Sequence, residues 1–583
     1  MTSRLIPAVL LIVCLAGSFG IPPAAHAQSD AFSSFKEKFL EEFWRINPEW
    51  ATMVGYHQHD DLLSMPDQTG FKNQRAFANR YIEQLNRYDL KSLSPADQID
   101  CRLIRNELEK MLWQLDEERA WQWDPTRYNL SDLFATMLNE PYAPLEQRLQ
   151  SFTQRAQLIP EYYQAAKENI QNPVPELQAL AANQIQGGLS VFTQDFADSL
   201  KMAGLSDKQK AEMLQTVNNA ASAIGNFATW LSGFKPEHPR SFRLGARLYE
   251  KKFHYDIQSQ YTAAQLYEFA VQRKQFIHTE MARISRDLWP EYFGKTTMPS
   301  DSLVLIRKMI DTLSVVHVKP AAFQSAIEQQ LPDLIQFIQD KDLLYIDPSK
   351  PLVVRREPAY MAGIAGVSIS APGPYDKNGN TYYNVGSLEG WPAAKAESYL
   401  REYNHYVLQI LNIHEAIPGH YTQLVYANQS PSIIKSVFGN GAMIEGWAVY
   451  TEQMMLENGY GGNAPEMWLM WYKWNLRTVC NTILDYAVHT QDMTEAEAMK
   501  LLTQEAFQQQ AEAEGKWKRV SVTNVQLVSY FDGYKEITAL RDALMQKEGD
   551  AFRLKKFHEQ FLSYGSAPVK YIRQMMLLET SNR

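Results

Sequence analysis

Cysteine is scarce in this 583-residue sequence, three in all, and one of them, Cys14, sits in the apolar segment at the start. The other two, Cys101 and Cys480, are far apart in helix-like sequence. That excludes a disulfide framework and predicts two buried free thiols, neither placed as a nucleophile. Basic residues are in deficit: 57 Lys and Arg against 66 Asp and Glu give a net charge of -9, with a pI near 5.8. A nucleic-acid partner needs a basic surface to displace counterions, so the balance argues for a small substrate or a short peptide. Beyond the start no run is apolar enough to span a bilayer, so no stable membrane insertion is expected once a leader is removed. Nothing recurs at a fixed period, which excludes a solenoid.

The start itself reads as an export signal: Arg4, an apolar run from Leu5 to Ala16, then Ala25-His26-Ala27 in the small-x-small form of a signal-peptidase site. Cleavage is expected before Gln28, with a periplasmic destination. Cys14 lies in LIVC, which lacks the small residue that a lipoprotein signal places before its cysteine. At 45% hydrophobic, the chain can bury a large core. The expected organisation is a leader over 1–27, an N-terminal helical lobe over 28–340 and a catalytic lobe over 341–583.

From Asp30 to about Trp289 the pattern is of successive amphipathic helices, with starts at Ser94-Pro95, Ser206 and Thr262. The early phrase NPEWATMVGYHQHDD gathers His57, His59, Asp60 and Asp61. It reads as a polar loop after a short helix begun by Asn47-Pro48, since no partner cluster accompanies it. Between about Leu343 and Gly386 the period changes to LVVRR, GVSIS and TYYNV, with Asn378-Gly379 as a hairpin signal, so a small sheet is expected. An exposed edge there could pair with an extended peptide. Arg355 and Arg356 on LVVRR are candidates for holding a substrate carboxylate, with a solvated strand end as the plainer alternative.

The stretch that carries chemistry is HEAIPGH, His414 to His420, followed by Glu445 in IEGWAVYTE. Two imidazoles and a carboxylate are ligand types for Zn²⁺ with an open position for water, and Glu415 beside them is placed to take that water's proton. The spacing is not that of H-E-x-x-H, because position i+4 is Pro418. Six residues at 3.6 per turn leave the two histidines about 120° apart on an undistorted helix. Either Pro418-Gly419 opens the turn, or a helix ends near Ile417 and His420 starts another. Pro392 opens the preceding helix, in which Leu400, Tyr403, Val407, Leu411 and His414 fall on one inward stripe. In the next helix Glu445 and Glu452 share an apolar face, where carboxylates need a positive partner. Glu445 is the candidate ligand, and Glu452 is placed to accept the far N–H of a ligand histidine or to meet an arginine. The remainder reads as helices over about Pro465–His489, from Thr494, and over about Val522–Gln546, bringing in Asp485, His489 and Tyr530.

These phrases resemble a family, the bacterial group catalogued as domain of unknown function 885, which looks like a branch of the zincin peptidases with glutamate as third zinc ligand. The match covers nearly the whole mature chain: NPEWATMVGYHQHDD, HEAIPGHYTQ, EGWAVYTE, LDYAVH and QLVSYFDG. The resemblance implies a mostly helical, two-lobed, zincin-like metallopeptidase with a small sheet beside the site helix. It implies Zn²⁺ on His414, His420 and Glu445, Glu415 as general base, Tyr530 and His489 as oxyanion donors, and Asp485 as a further supporting carboxylate. The family usually carries Pro-Gly before the glutamine of the last phrase, where this chain has Asn524-Val525. Two other classes stay open: a non-catalytic peptide-binding protein of the same fold, and a zinc hydrolase of a non-peptide amide.

Overall fold

Helix starts follow the side chains that the sequence supplies as caps. In the computed structural model, which describes residues 23–357, 366–376 and 380–581, the Ser94 hydroxyl accepts the Asp97 amide, and Ser206, Thr262 and Thr494 each close a reciprocal capping box. Each satisfies amide donors that the first helical turn leaves open. Helix takes 72% and strand 3%, which settles the class as mostly helical. Most of the leader, including Cys14, and the Asn378-Gly379 turn lie outside the described residues.

The helices used below are α1 (Pro23–Ile46), α2 (Pro48–Met53), α3 (Pro95–Trp113), α4 (Asp207–Gly233) and α5 (Ala263–Phe293), then, after the sheet, α6 (Ala393–Glu402), α7 (His405–Glu415), α8 (His420–Asn428), α9 (Gly441–Glu457), α10 (Pro465–Thr490), α11 (Gln510–Val522) and α12 (Ser529–Glu548). One buried apolar cluster runs from Phe32 on α1 to Met576, and α5 packs along α10 within it; a second holds Leu63 and side chains from Tyr128 to Leu231, including α4. The division expected near residue 340 does not coincide with this one, because α1 and α3 are built into the larger core. Phe39 and Phe43 of α1 stand 6.1 and 5.3 Å from the Phe438 ring. Asp100 of α3, buried, takes the ammonium of buried Lys435 and the Ser432 hydroxyl at 2.8 Å.

The sheet consists of β1 (Leu352–Arg356), β2 (Val367–Ser370) and β3 (Thr381–Val385) in the order β1-β3-β2, with β1 parallel and β2 antiparallel to β3. Alternation along β3 turns Tyr383 toward α7, where its hydroxyl donates to Asn412 Oδ1 at 2.9 Å, and Tyr382 and Asn384 to the other face. The sheet therefore lies beside the helix that carries His414, as expected.

Two helix boundaries differ from the periodic reading. The stripe from Leu400 to His414 is not one helix: Asn404 breaks it, its Oδ1 accepting the Tyr406 and Val407 amides at 3.1 and 3.3 Å as the cap of α7. The helix expected from about Val522 starts at Ser529 instead. Cys101 and Cys480 are free and buried, and burial pushes the Cys480 thiol up to about 12. In the early phrase Asp60 is buried and accepts from Thr52 and Tyr142 hydroxyls at 2.6 and 2.7 Å, with His57 Nδ1 at 3.0 Å, a knot that shapes the loop after α2.

Candidate metal centre

α7 ends at Glu415 and α8 begins at His420, so Ala416–Gly419 is a loop between two helices rather than an opened turn within one. The Ala416 and Ile417 amides both donate to the Asn412 carbonyl at 3.0 and 3.1 Å, and the Gly419 amide returns to Ile413 at 2.9 Å, past a cis Ile417–Pro418 peptide. A Cβ on Gly419 would overlap the carbonyl oxygens of Ile413 and His414, so only glycine fits. From α9, Trp447 Nε1 donates to the Pro418 carbonyl at 2.9 Å.

The loop brings the histidines together. Their ring centroids are 4.8 Å apart at 88°. Glu445 Oε2 lies 3.3 Å from His420 Nε2 and 3.8 Å from His414 Nε2, and one ligand atom from each residue lies within 4.8 Å of the others. A tetrahedral cation with bonds near 2.1 Å sets its ligand atoms roughly 3.3–3.5 Å apart; the His420–Glu445 pair stands at that spacing, the His414–Glu445 pair is wider, and the donors are of the types that Zn²⁺ takes. Among the described residues this is the only such group of three, and the His57, His59, Asp60, Asp61 phrase supplies none.

The surroundings orient these side chains. Glu452 is fully buried, and its Oε1 accepts His414 Nδ1 at 2.7 Å and Trp474 Nε1 at 3.0 Å. That bond leaves His414 Nε2 facing Glu445. Burial alone would lower His414, but the Glu452 hydrogen bond and the charges of Glu452, Glu415 and Glu445 lift it to about 9. Burial would raise Glu445, yet His420, His414 and the Tyr530 hydroxyl hold it below the ordinary carboxylate value. Glu415, half-buried at the end of α7, has no hydrogen-bond partner among the described residues, and burial keeps its carboxyl above the usual value against the pull of both histidines.

α9 and α12 meet with no side chain between them: a Cβ on Gly446 would overlap the Gly533 backbone, and one on Gly533 the Ala442 carbonyl. This contact sets Tyr530 against Glu445. Arg519 of α11, which periodicity does not single out, donates to Gln526 Oε1 at 2.7 Å and approaches the Tyr530 hydroxyl at 3.4 Å.

Asp485 and His489 are bound to the chain that precedes α12. Asp485 accepts the Val525 and Leu527 amides at 3.0 Å each and the Tyr249 hydroxyl at 2.8 Å. His489 Nε2 faces the carbonyls of Val520 and Thr523 at 3.1 and 3.0 Å. Through these bonds Asp485 and His489 Nε2 clamp the segment that leads into α12, while His489 Nδ1 is buried with no hydrogen-bond partner among the described residues. Arg356 pairs with Glu389 at 3.2 Å in the open, both side chains more than half exposed. Arg355 donates to Asn384 Oδ1 at 2.6 Å and stacks on Tyr382 at 3.8 Å, on the sheet face turned away from α7. There it lines a separate cavity of about 650 Å³ with His57 and Tyr142.

Residues 48–576 match the profile of a family described as bacterial protein of unknown function, DUF885. The chain belongs to the DUF885 family. Among solved structures, a candidate lipoprotein of unknown function from Shewanella oneidensis is 52% identical, with a TM-score of 0.85 over 94% of this chain and 99% of that one. A candidate lipoprotein from Colwellia psychrerythraea, 16% identical, shares the fold at a TM-score of 0.73 over 95% of this chain and 100% of its own. Comparison with curated proteins gives no match. Val525 has φ +66, a conformation that β-branched side chains rarely adopt. The Asp485 clamp holds it there.

Proposed function

We propose that this DUF885 protein is an exported zinc-dependent peptidase, hydrolysing peptide bonds in short peptides with His414, His420 and Glu445 as the metal ligands. The observation that carries this reading is the convergence of two imidazoles and a carboxylate beside the unpartnered carboxylate of Glu415. Zn²⁺ held there would supply Lewis acidity, polarising the scissile carbonyl and drawing the pKa of a water toward about 7. Glu415 accepts a proton from the attacking water as the C–O bond forms, and delivers it to the amine as the C–N bond breaks. Tyr530 donates a hydrogen bond to the carbonyl oxygen as negative charge gathers there, a donor worth roughly 3 kcal/mol in comparable sites. Glu452 and Trp474 hold His414 in the tautomer that leaves Nε2 toward the centre.

A protein that only binds peptides needs no base, so the free Glu415 carboxylate favours hydrolysis over that alternative. Export is supported by the leader over 1–27 and by the description of the 52%-identical relative as a candidate lipoprotein. Among the described residues no helix is long and apolar enough to cross a membrane.

The test combines metal analysis of the purified chain with mass spectrometry of a mixed peptide pool before and after chelation. One equivalent of zinc and chelator-sensitive cleavage are expected. Glu415→Gln should keep the zinc and lose turnover by a factor of about 10³ or more, since it removes the base and no ligand. Near-normal cleavage by zinc-loaded Glu415→Gln protein would overturn the mechanism.

A further inference from the structure

α11 turns a cationic face toward the metal centre. Lys516 and Arg519 stand on it, and Arg477 joins them from α10. Two chains of contact tie the group to the centre. Arg519 reaches the Tyr530 hydroxyl at 3.4 Å, and Tyr530 faces Glu445. Arg477 lies over the Trp474 ring at 4.6 Å, and that indole donates to Glu452, the partner of His414.

The charges in this cluster do not balance. Glu402 pairs with Lys473 at 2.8 Å and Glu512 with Arg477 at 2.6 Å, two carboxylates set against Lys473, Arg477, Lys516 and Arg519. Arg519 meets only the neutral Gln526 and Tyr530. Lys516 is 6% exposed, yet it has neither a hydrogen bond nor an ion pair among the described residues. An enclosed ammonium without a direct hydrogen bond is costly; burial, then the Arg477 charge, push Lys516 down to about 7 against the pull of Glu512 and Glu402. Lys473, by contrast, has a carboxylate oxygen at 2.8 Å.

We infer that Lys516 and Arg519 form the subsite for the C-terminal carboxylate of a peptide, so that the protein trims its substrates from the carboxyl end. The inference rests on the hydrolytic reading above and adds the substrate's free acid terminus to it. The Arg519 fork suits a carboxylate and the Lys516 ammonium adds a point charge. Tyr530 stands between Arg519 and Glu445, a gap of about two hydrogen-bond lengths, or ~6 Å. A residue spans about 3.5 Å, so one or two residues fit between the scissile carbonyl and the terminal carboxylate. Hydrolysis there adds hydroxyl to the acyl carbon and a proton to the released amine.

The test uses the zinc-loaded full chain and two matched peptide pools, free acids and C-terminal amides, followed by mass spectrometry. Free acids should shorten from the carboxyl end by one or two residues, with amides slower by about 100-fold in kcat/KM, as expected for losing a buried charge-assisted contact. Equal rates for the two pools, or internal or amino-end cleavage, would overturn the inference while hydrolysis stands. No cleavage of either pool overturns the inference together with the reading beneath it. Lys516→Met should bring the pools toward parity, chiefly through KM for free acids, and Lys516→Arg should retain the preference. An equal fall on both pools would mark Lys516 as structural. Should Lys516→Met fail to fold, the comparison with the natural chain decides alone.

Discussion

Single residues in this protein are chosen for what they leave exposed to a cation and what they deny to water. Glu445→Ala should lose zinc, because it removes the only carboxylate among the three converging ligand atoms; a stoichiometric zinc content in that variant would strike Glu445 from the ligand set. A second prediction concerns His558, fully buried, with Nδ1 toward the Leu343 carbonyl at 2.8 Å and Nε2 2.8 Å from the Tyr450 hydroxyl. Burial lowers it to about 4. The unfolded chain, with an ordinary value near 6.5, takes the proton first, so stability is full above about pH 6.5 and declines as pH falls toward about 4, by roughly 3 kcal/mol. Urea unfolding across that range should show a shallower slope for His558→Gln, and equal slopes would rule His558 out as the cause. His414, Glu415, His420, Glu445 and Glu452 were all legible in the sequence, because residue type and spacing along two helices carry the chemistry. Trp474, Arg519 and Lys516 were not, since their relation to the site is made only by packing of α10 and α11 against it. Asp485 and His489 entered only as residues of a helix and through the family resemblance, because periodicity cannot name the neighbours that give them their roles.

At the scale of elements the short loop between α7 and α8 does the decisive work. Gly419→Ala would drive a methyl into the Ile413 and His414 carbonyls, so the loop must rebuild and His420 must swing away. A loss of about 3 kcal/mol in unfolding free energy and a drop in zinc content are expected; unchanged values of both would show that the loop tolerates a Cβ. Capped starts were readable because Ser94, Ser206, Thr262 and Thr494 act on amides within three residues. The break at Asn404 and the late start of α12 escaped the periodic pattern for a shared reason. Apolar spacing continues across both, and the interruption comes from a side-chain cap in one case and from a distant carboxylate, Asp485, in the other.

For the whole molecule, the core decides which parts stand alone. Phe39, Phe43 and the Asp100–Lys435 pair bind the first helices to the half that carries the metal centre. A chain of residues 341–583 by itself should therefore lack a cooperative urea transition, because it exposes that apolar seam and leaves Lys435 without its carboxylate; a sharp transition in circular dichroism would refute this. The contact of Gly446 with Gly533 has a mechanical corollary. Backbones that touch without intervening side chains have no soft layer in which to shear, so Glu445 and Tyr530 ride on one stiff body. Whatever breathing admits a peptide must take place in walls outside that joint, and the tempo of opening can change there without loosening the grip on the cation.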